Sequence, residues 1–205
     1  MKIISQSVAW FQPPPEDTLQ LLELAGRVAY KSEAKITADS AAKFLTVLLT
    51  KQHESVIEHV SASVRIITDR GVSHELVRHR LASYTQESTR YCSYNQGKFG
   101  GELTVIRPVY FLEDSPAWYR WCSAMQDAEN HYLLLINNYG CSAQEARAVL
   151  PNSLKTELIM TANLRQWLHV LKLRTAKEAH PQMRALMLDT AALFHDRLPV
   201  LFPAV

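Results

Sequence analysis

The 205-residue chain contains few glycines and few cysteines, and each scarcity argues against a class of site. Its six glycines never form Gly-x-Gly-x-x-Gly, so the sequence does not support a Rossmann-type dinucleotide site. Its three cysteines, Cys92, Cys122 and Cys141, form neither a Cys-x-x-Cys pair nor a zinc-binding spacing. We therefore expect a reduced, cytoplasmic protein.

Long apolar runs and a strong net charge are absent as well. No stretch approaches the length of a membrane-spanning helix, and residues 1–5 lack the apolar run of a signal peptide. The formal net charge of +2 is too small to indicate a general polyanion binder. These features predict a soluble protein with no membrane partner.

What the sequence does contain is a full set of helix and strand signals. Alternating apolar residues predict strands at residues 60–66 and 154–160, and residues 1–11 and 103–109 also resemble strands. Apolar faces at helical spacing predict helices at residues 17–30, 40–49, 73–80, 118–140, 142–149, 163–173 and 182–198. The mixture predicts an α+β (mixed α/β) fold, with a single domain over residues 1–205 and one central sheet flanked by helices.

The most concentrated cationic feature is the triplet Arg78-His79-Arg80. On a predicted helical turn its side chains point about 100° apart, so they cannot all pair with one anion. They could bind separate parts of a large anionic ligand, such as a dinucleotide. The alternative is a solvated basic turn with Glu75 as its partner.

Residues 83–101 are predicted to form a long ordered loop, and a loop of that length in a compact domain is usually functional. Ser88 follows the triplet after seven intervening residues, and Arg90 comes next but one. Hydroxyl and amide groups together with a guanidinium suit phosphate binding. An ordinary polar surface loop would have a similar composition, but the spacing Arg-His-Arg-x7-Ser is more specific than either half.

Residues 78–90 resemble the signature of flavin-dependent thymidylate synthases, and three further segments extend the resemblance. They are His53-Glu54-Ser55 with Glu58-His59, Arg147-x-x-Leu150-Pro151, and Asn163-x-Arg165 with His169 and Leu173-Arg174. The four segments stand in the family's order between residues 53 and 174. The chain departs from the commoner family pattern at residues 179–184, where Pro181 suits the first turn of the last helix.

The resemblance implies the family's own α/β fold, a homotetramer with active sites at subunit interfaces, and tightly bound FAD with dUMP stacked on the flavin. The implied reaction is reductive methylation of dUMP to dTMP. Methylenetetrahydrofolate would supply one carbon, and NADPH would supply the hydride through FAD. Because the chain has no Gly-x-Gly-x-x-Gly, FAD binding must rest on side chains.

The resemblance also implies individual contacts, carried over residue by residue. FAD would contact Ser55, Arg78, His79, Arg80, Gln86, Asn163, Arg165 and His169. dUMP would be held by Glu75, Arg78, Gln86, Glu87, Ser88, Thr89, Arg90, Arg147 and Arg174. Without the resemblance, Arg165 and His169 are i,i+4 neighbours on one helical face, which an ordinary amphipathic helix with a solvated Arg165 explains equally well.

Arg174 is the predicted activating residue. A guanidinium fixed beside the pyrimidine would stabilise negative charge that develops on the ring. Cys92 and Ser88 are alternative nucleophiles. The family is not built around a cysteine nucleophile, however, and the sequence identifies no base for Ser88, so we expect a binding or polarising role for that serine.

A metal site and two other functions are further alternatives. His53 and His59, with Glu54 and Glu58 between them, match no metal-binding motif, and no metal is expected. A nucleic-acid-binding module could use the arginines of residues 78–90 with Tyr91 as a phosphate and stacking platform. The near-neutral charge argues against that module, so no nucleic-acid partner is expected. A family member that acts on a different pyrimidine nucleotide remains open.

Overall fold

The computed structural model describes residues 1–95 and 101–204. Its strands are β1 (Lys2–Ile4), β2 (Ser7–Gln12), β3 (Ser61–Asp69), β4 (Ser83–Gln86), β5 (Thr104–Ile106) and β6 (Lys155–Asn163). Its α-helices are α1 (Thr18–Val28), α2 (Ser40–Thr50), α3 (Arg70–Leu76), α4 (Pro116–Asn137), α5 (Ala143–Ala146), α6 (Leu164–Arg174) and α7 (Pro181–Arg197). Short 3-10 helices cover Glu33–Lys35, Glu54–His59 and Arg147–Val149. The α+β class is confirmed.

The described strands form two sheets. Strands β2, β3, β6 and β4 lie side by side in that order in a four-stranded sheet. Strand β4 lies in the segment predicted to be a loop, whereas β5, which was predicted as a strand, is not part of this sheet. Strands β1 and β5 pair in parallel in a separate two-stranded sheet, which the sequence did not predict. The single strand predicted over residues 1–11 is wrong, because β1 and β2 belong to different sheets. The polar run Ser5-Gln6-Ser7 separates the apolar residues of the two strands and is a local signal of the break between them.

The chain forms two compact units, and β2, β3, β4 and β6 each contribute residues to both. Unit 1 comprises Met1–Ser7, Ile66–Arg78 and Thr85–Leu158. Unit 2 comprises Val8–Arg65, His79–Tyr84 and Ile159–Val205. A single domain over residues 1–205 remains a prediction.

The core of unit 1 is built around α4. Ser115 caps this helix by accepting a hydrogen bond from the Trp118 backbone N–H at 3.2 Å. Trp118, Trp121 and Met125 recur at helical spacing and pack with Val105 of β5. A second cluster in the same unit holds Tyr94, Leu103, Tyr132, Ala146 and Leu154. Burial of these large side chains provides the main stabilisation of the unit.

The core of unit 2 is rich in aromatic rings. Trp167 of α6 is fully buried, and its indole N–H donates to the Ala62 carbonyl at 3.0 Å. Its ring packs against Phe194 of α7 at a centroid distance of 5.0 Å. Pro181 occupies the first turn of α7, which confirms the interpretation of that residue. No helix in the described ranges is long and apolar enough to cross a membrane.

Two differences from the predicted elements affect the candidate site. The short helix predicted from Ser73 to Arg80 instead begins at Arg70 and ends at Leu76. It begins earlier because the Asp69 carboxylate caps it by accepting a hydrogen bond from the Val72 N–H at 2.7 Å. The loop predicted over residues 83–101 begins with strand β4, and its residues 96–100 lie outside the described part.

Candidate functional site

The Arg78-His79-Arg80 triplet lies beyond α3, so the prediction that it occupies a helical turn is wrong. Val77 is the C-cap of that helix. Arg78 and Arg80 are exposed, whereas only 7% of the His79 surface is accessible. Arg78 belongs to unit 1, and the next two residues belong to unit 2. The triplet therefore consists of a buried imidazole between two exposed guanidiniums.

Within unit 2, His79 is hydrogen bonded to Arg174, the last residue of α6. The Nε atom of Arg174 donates to Nε2 of His79 at 3.0 Å. Because Nε2 accepts this bond, the imidazole is neutral and carries its proton on Nδ1. The ring of His169 lies edge-on to the His79 ring, with a centroid distance of 6.1 Å. The structure thus brings the predicted activating residue together with two predicted FAD ligands.

The electrostatic environment of His79 keeps it uncharged. Burial, together with the neighbouring Arg174 and His169, lowers the pKa of His79 from 6.5 to about 4, and burial is the largest cause. A protonated imidazole would lose the acceptor atom and repel the guanidinium. The neutral ring can therefore hold Arg174 in place at physiological pH.

Unit 2 also contains a cleft of about 760 Å³ along α6. It is lined by Glu54, Glu58, Leu81, Asn163, Arg165, Gln166, Leu168, His169 and Lys172. Three of these residues, Asn163, Arg165 and His169, are predicted FAD ligands. The volume lies within the range of roughly 300–1,000 Å³ that is usual for small-molecule sites.

Asn163 has a structural role at the edge of this cleft. Its Oδ1 atom accepts a hydrogen bond from the Gln166 backbone N–H at 2.8 Å and caps α6. Its amide NH2 group has no partner within residues 1–95 and 101–204. The oxygen therefore stabilises the helix, while the nitrogen remains available to a ligand.

Arg165 forms ion pairs across the cleft. Its Nη1 atom lies 2.5 Å from Oε1 of Glu58, and its Nε atom lies 3.4 Å from Oε2 of Glu54. Both glutamates belong to the 3-10 helix Glu54–His59. Within the described ranges, no group of three or more His, Cys, Asp and Glu side chains is placed to hold a metal ion. Glu54 and Glu58 thus serve as partners of the arginine.

The remaining predicted FAD residues of unit 2 lie outside the cleft lining. Ser55 is exposed on the same 3-10 helix as Glu54 and Glu58. Arg80 is exposed and lies three residues before the first residue of β4. Neither residue is among those that line the cleft, so their contacts with FAD remain predictions.

In unit 1, Gln86 at the end of β4 is held by two hydroxyl groups. Its Nε2 atom donates to Ser73 Oγ at 2.9 Å and to Thr156 Oγ1 at 3.0 Å. Both protons of the amide group are therefore engaged. The Oε1 atom has no donor partner in the described part of the chain and can accept a hydrogen bond from a ligand.

The carboxylate of Glu87 is engaged by protein donors. Tyr94 donates its hydroxyl proton to Oε1 at 2.9 Å, and the Lys155 ammonium donates to Oε2 at 2.7 Å. The backbone N–H of Glu87 donates to the Glu157 carbonyl at 2.8 Å, and its carbonyl accepts from Arg70 Nη1 at 3.2 Å. This residue is bound to the protein at four points.

The segment after Glu87 forms a turn. The Ser88 carbonyl accepts from the Cys92 N–H at 2.9 Å, and Ser88 Oγ accepts from the Arg90 N–H at 3.3 Å. Thr89 is buried, and the guanidinium of Arg90 lies 5.5 Å from the ring centroid of Tyr91. The hydroxyl of Ser88 thus supports its own turn, which agrees better with a binding or polarising role than with that of a nucleophile.

Unit 1 contains several exposed arginines that form no ion pair within the described part of the chain. Arg78, Arg90 and Arg147 are exposed, and none has an ion-pair partner among the residues that the structure describes. Glu75, another predicted dUMP ligand, is half-buried on α3. Unpaired guanidiniums are well suited to bind a phosphate in a bidentate manner.

Several residues of the candidate site have no assigned role in the sequence prediction. Leu168 and Lys172 share the face of α6 that carries Arg165 and His169, and the i,i+3 and i,i+4 spacing could have indicated both. Leu81 directly follows the triplet and is 79% exposed, which is unusual for a leucine beside a polar cleft. No local signal could have indicated Lys155 as the partner of Glu87, because the two are 68 residues apart.

Comparisons with known proteins identify the family of this chain. The family described as Thy1, thymidylate synthase complementing protein, matches residues 14–200. The flavin-dependent thymidylate synthase of Geobacter sulfurreducens is 34% identical over 197 residues, covering 93% of this chain and 82% of the relative. The flavin-dependent thymidylate synthase of Pyrococcus furiosus is 32% identical over 185 residues, covering 88% of this chain and 75% of the relative.

One solved structure has a fold similar to that of this chain. The UMP/dUMP methylase PolB from Streptomyces cacaoi bound with 5-Br dUMP superposes with a TM-score of 0.79. The alignment covers 100% of this chain and 96% of that chain at 24% sequence identity. At this level of identity, the similarity concerns the fold.

Proposed function

Because the chain belongs to the Thy1 family of flavin-dependent thymidylate synthases, as its sequence indicated, we propose that it catalyses the reductive methylation of dUMP to dTMP. Methylenetetrahydrofolate is the proposed carbon donor, and NADPH is the proposed reductant, with FAD as cofactor. The observation that carries the proposal is the similarity to enzymes of that name over 93% and 88% of the chain.

The cleft of unit 2 supports FAD binding through side chains. Lys172 supplies positive charge for a diphosphate, and the free amide NH2 of Asn163 supplies a donor. Arg165 supplies guanidinium donors that its ion pairs with Glu54 and Glu58 hold in place. Leu81 and Leu168 supply apolar surface for an aromatic ring system. We propose that Ser55, Arg78, His79, Arg80, Gln86 and His169 contribute further contacts. Bound FAD supplies the hydride-transfer chemistry of the reaction.

The arginines of unit 1 support dUMP binding. Arg78, Arg90 and Arg147 are exposed guanidiniums that can neutralise a phosphate. The unpartnered Oε1 atom of Gln86 can accept a hydrogen bond from the pyrimidine. The proposed dUMP-binding residues also include Glu75, Glu87, Ser88, Thr89 and Arg174.

Arg174 is the proposed activating residue. Its guanidinium is held by His79 Nε2, a neutral acceptor that fixes the side chain without cancelling its charge. A fixed positive charge stabilises negative charge that develops on the pyrimidine in the transition state. The protein thus contributes electrostatic activation and orientation of the substrate.

We also propose a homotetramer. Helix α1 exposes 43% of Leu21, 50% of Leu24 and 50% of Val28, which together give an apolar face in unit 2. Contiguous exposed apolar side chains commonly mark association surfaces. Light scattering during gel filtration should give four times the mass of one chain, and the mass of a monomer would contradict the proposal.

We propose a cytoplasmic location because the three cysteines are not in disulfides. Cys92, Cys122 and Cys141 are free thiols in the described structure. Free thiols are usual in reducing compartments, whereas secreted proteins more often contain disulfides. Fluorescence microscopy of a tagged chain should show diffuse signal throughout the cytoplasm, and signal confined to the cell envelope would contradict the proposal.

The function is tested by assaying dTMP formation with purified protein. The protein should show flavin absorbance, and dTMP should accumulate when dUMP, methylenetetrahydrofolate and NADPH are present, with more product after FAD is added. Protein that carries no flavin, takes up no added FAD and forms no dTMP would contradict the proposal. Binding of single-stranded nucleic acid by such flavin-free protein would instead support the nucleic-acid-binding alternative.

A second candidate is a methylase that prefers another pyrimidine nucleotide. The name of the structural neighbour, a UMP/dUMP methylase, favours testing UMP. The assay is the same, with UMP replacing dUMP at equal concentration. A higher kcat/KM with UMP than with dUMP would favour this second candidate.

A further inference from the structure

Glu87 lies at the junction between strand β4 and the segment Ser88–Arg90, which is proposed to hold dUMP. Four polar contacts fix it within unit 1: those of its carboxylate with Tyr94 and Lys155, and those of its backbone with Glu157 and Arg70. The segment that follows is attached to this residue directly. Its position therefore depends on where Glu87 is held.

The ion pair of Glu87 with Lys155 is largely shielded from water. The Glu87 side chain is 11% exposed and the Lys155 side chain is 19% exposed. Lys155 also lies 3.6 Å from Glu157, which is the more exposed of the two carboxylates at 34%. Removing one member of a shielded pair leaves an uncompensated charge, which costs far more than removing both.

Tyr94 anchors the other carboxylate oxygen in the core of unit 1. Its side chain is 3% exposed and packs against Tyr132 at a centroid distance of 5.8 Å. Its backbone N–H donates to the Tyr132 hydroxyl at 3.3 Å. Burial and the Glu87 carboxylate raise the pKa of Tyr94, so its hydroxyl keeps the proton that it donates. One oxygen of Glu87 is thus tied to the core, and the other is neutralised by an ammonium.

The ammonium of Lys155 also affects the electrostatic potential beside the segment Ser88–Arg90. A carboxylate beside a segment that binds a nucleotide phosphate would repel that phosphate. Lys155 offsets the negative charge of Glu87 at 2.7 Å and so reduces that repulsion.

We propose that Glu87 is a positioning residue, whose carboxylate is held by Lys155 and Tyr94 so that the segment Ser88–Arg90 is fixed for dUMP, and that it does not itself contact the nucleotide. The inference rests on the proposed function. It changes the role of Glu87 from ligand to support, and it assigns roles to Lys155 and Tyr94.

The test measures dUMP affinity of the FAD-loaded protein by calorimetry. Lys155→Met should weaken dUMP binding by about tenfold or more, because it leaves a lone carboxylate beside the segment. Tyr94→Phe and Glu87→Gln should each weaken binding by about threefold to tenfold, which corresponds to the usual net contribution of one intramolecular hydrogen bond. The double variant Glu87→Gln/Lys155→Met should bind better than Lys155→Met alone, since it removes both charges. Lys51→Met, a change of an exposed lysine in unit 2, is the matched control and should bind like the parent.

A direct contact between Glu87 and dUMP predicts a different pattern. In that case Glu87→Gln would weaken binding, while Tyr94→Phe and Lys155→Met would bind like the parent, and the inference would be overturned. The inference also predicts that KM for dUMP rises more than kcat falls in the three single variants, with flavin content unchanged.

Hydrogen exchange separates failure of this inference from failure of the proposed function. If the parent protein binds no dUMP, the proposed function is wrong. The effect of the Glu87 contacts on the segment Ser88–Arg90 can still be measured in the ligand-free protein. Tyr94→Phe and Lys155→Met should each speed exchange of the Cys92 amide, which donates to the Ser88 carbonyl, by about tenfold or more. Unchanged exchange in both variants would overturn the positioning role.

Discussion

At the scale of single residues, His79 shows how burial changes what a side chain can do. A free histidine is partly charged near neutral pH, but this one is neutral well below that range because it is buried beside Arg174. Its Nε2 atom consequently accepts a hydrogen bond from the guanidinium. The sequence alone identified both residues as candidates, whereas their contact became visible only in the structure.

The lowered pKa of His79 predicts a pH dependence of stability. Between about pH 6.5 and pH 4 the unfolded chain binds a proton at this residue that the folded chain does not. Stability should therefore fall as the pH drops through that window, by at most about 1.4 kcal/mol per pH unit from this group. In urea unfolding at pH 4.5 to 7, His79→Gln should show a shallower decline than the parent.

An exposed histidine provides the control for this measurement. His131→Gln makes the same chemical change on the surface of α4 and should leave the decline parallel to that of the parent. If His79→Gln is also parallel to the parent, the neutral state of His79 in the folded protein is contradicted.

The proposed activation by Arg174 predicts a loss of turnover without loss of cofactor. Arg174→Ala removes the charge beside the pyrimidine and should lower kcat by about 10²- to 10³-fold, as removal of a preorganised electrostatic group commonly does. Flavin content, read from absorbance, should remain near that of the parent. Lys177→Ala, which removes an exposed positive charge just beyond α6, is the control. Unchanged turnover in Arg174→Ala would exclude this residue as the activator.

At the scale of elements, helix α6 carries much of the proposed FAD site. One face presents Arg165, Leu168, His169 and Lys172 to the cleft, and the opposite face buries Trp167, Val170 and Leu171. The helix begins after the Asn163 cap and ends at Arg174. Burial of one face fixes the other, so the core of unit 2 sets the positions of the cleft side chains.

The Asn163 cap predicts separable effects on stability and on FAD. Asn163→Ala should cost about 1 kcal/mol of stability by removing the cap, and it should also weaken FAD binding. Asn163→Asp keeps an oxygen that can cap the helix, so stability should stay near that of the parent, while FAD binding falls because the NH2 donor is lost. Urea unfolding and flavin titration measure the two effects.

Another helix cap provides the comparison for Asn163. Ser115→Ala removes the cap of α4 in unit 1 and should cost a similar amount of stability without affecting FAD. Full FAD affinity in Asn163→Asp would show that the amide nitrogen does not bind the cofactor.

Elements with strong local signals were predictable from the sequence, and contacts between distant residues were not. The ends of α6 agree with the prediction to within a residue, because apolar periodicity and an asparagine cap are local features. The predicted start of α3 was wrong because the Asp69 carboxylate caps the helix, which begins three residues before the predicted start. Strand pairing is settled by tertiary packing, so neither the separate β1–β5 sheet nor the Glu87–Lys155 pair could be read from spacing.

At the scale of the whole molecule, the predicted ligands divide between the two units. The predicted FAD residues of unit 2 are Ser55, His79, Arg80, Asn163, Arg165 and His169. The predicted dUMP residues of unit 1 are Glu75, Arg78, Gln86, Glu87, Ser88, Thr89, Arg90 and Arg147. The division is incomplete, because Arg78 and Gln86 of unit 1 are also predicted FAD residues and Arg174 of unit 2 is also a predicted dUMP residue. The family similarity spans both units.

The central claim is that this chain methylates dUMP by means of a flavin. The most direct measurement is release of tritium from dUMP labelled at the ring carbon that receives the methyl group, because the label leaves only when that carbon is substituted. The account predicts release that requires FAD, methylenetetrahydrofolate and NADPH together, and that stops when any one is omitted. Absence of release in the complete mixture, from folded protein that has bound FAD and dUMP, would contradict it.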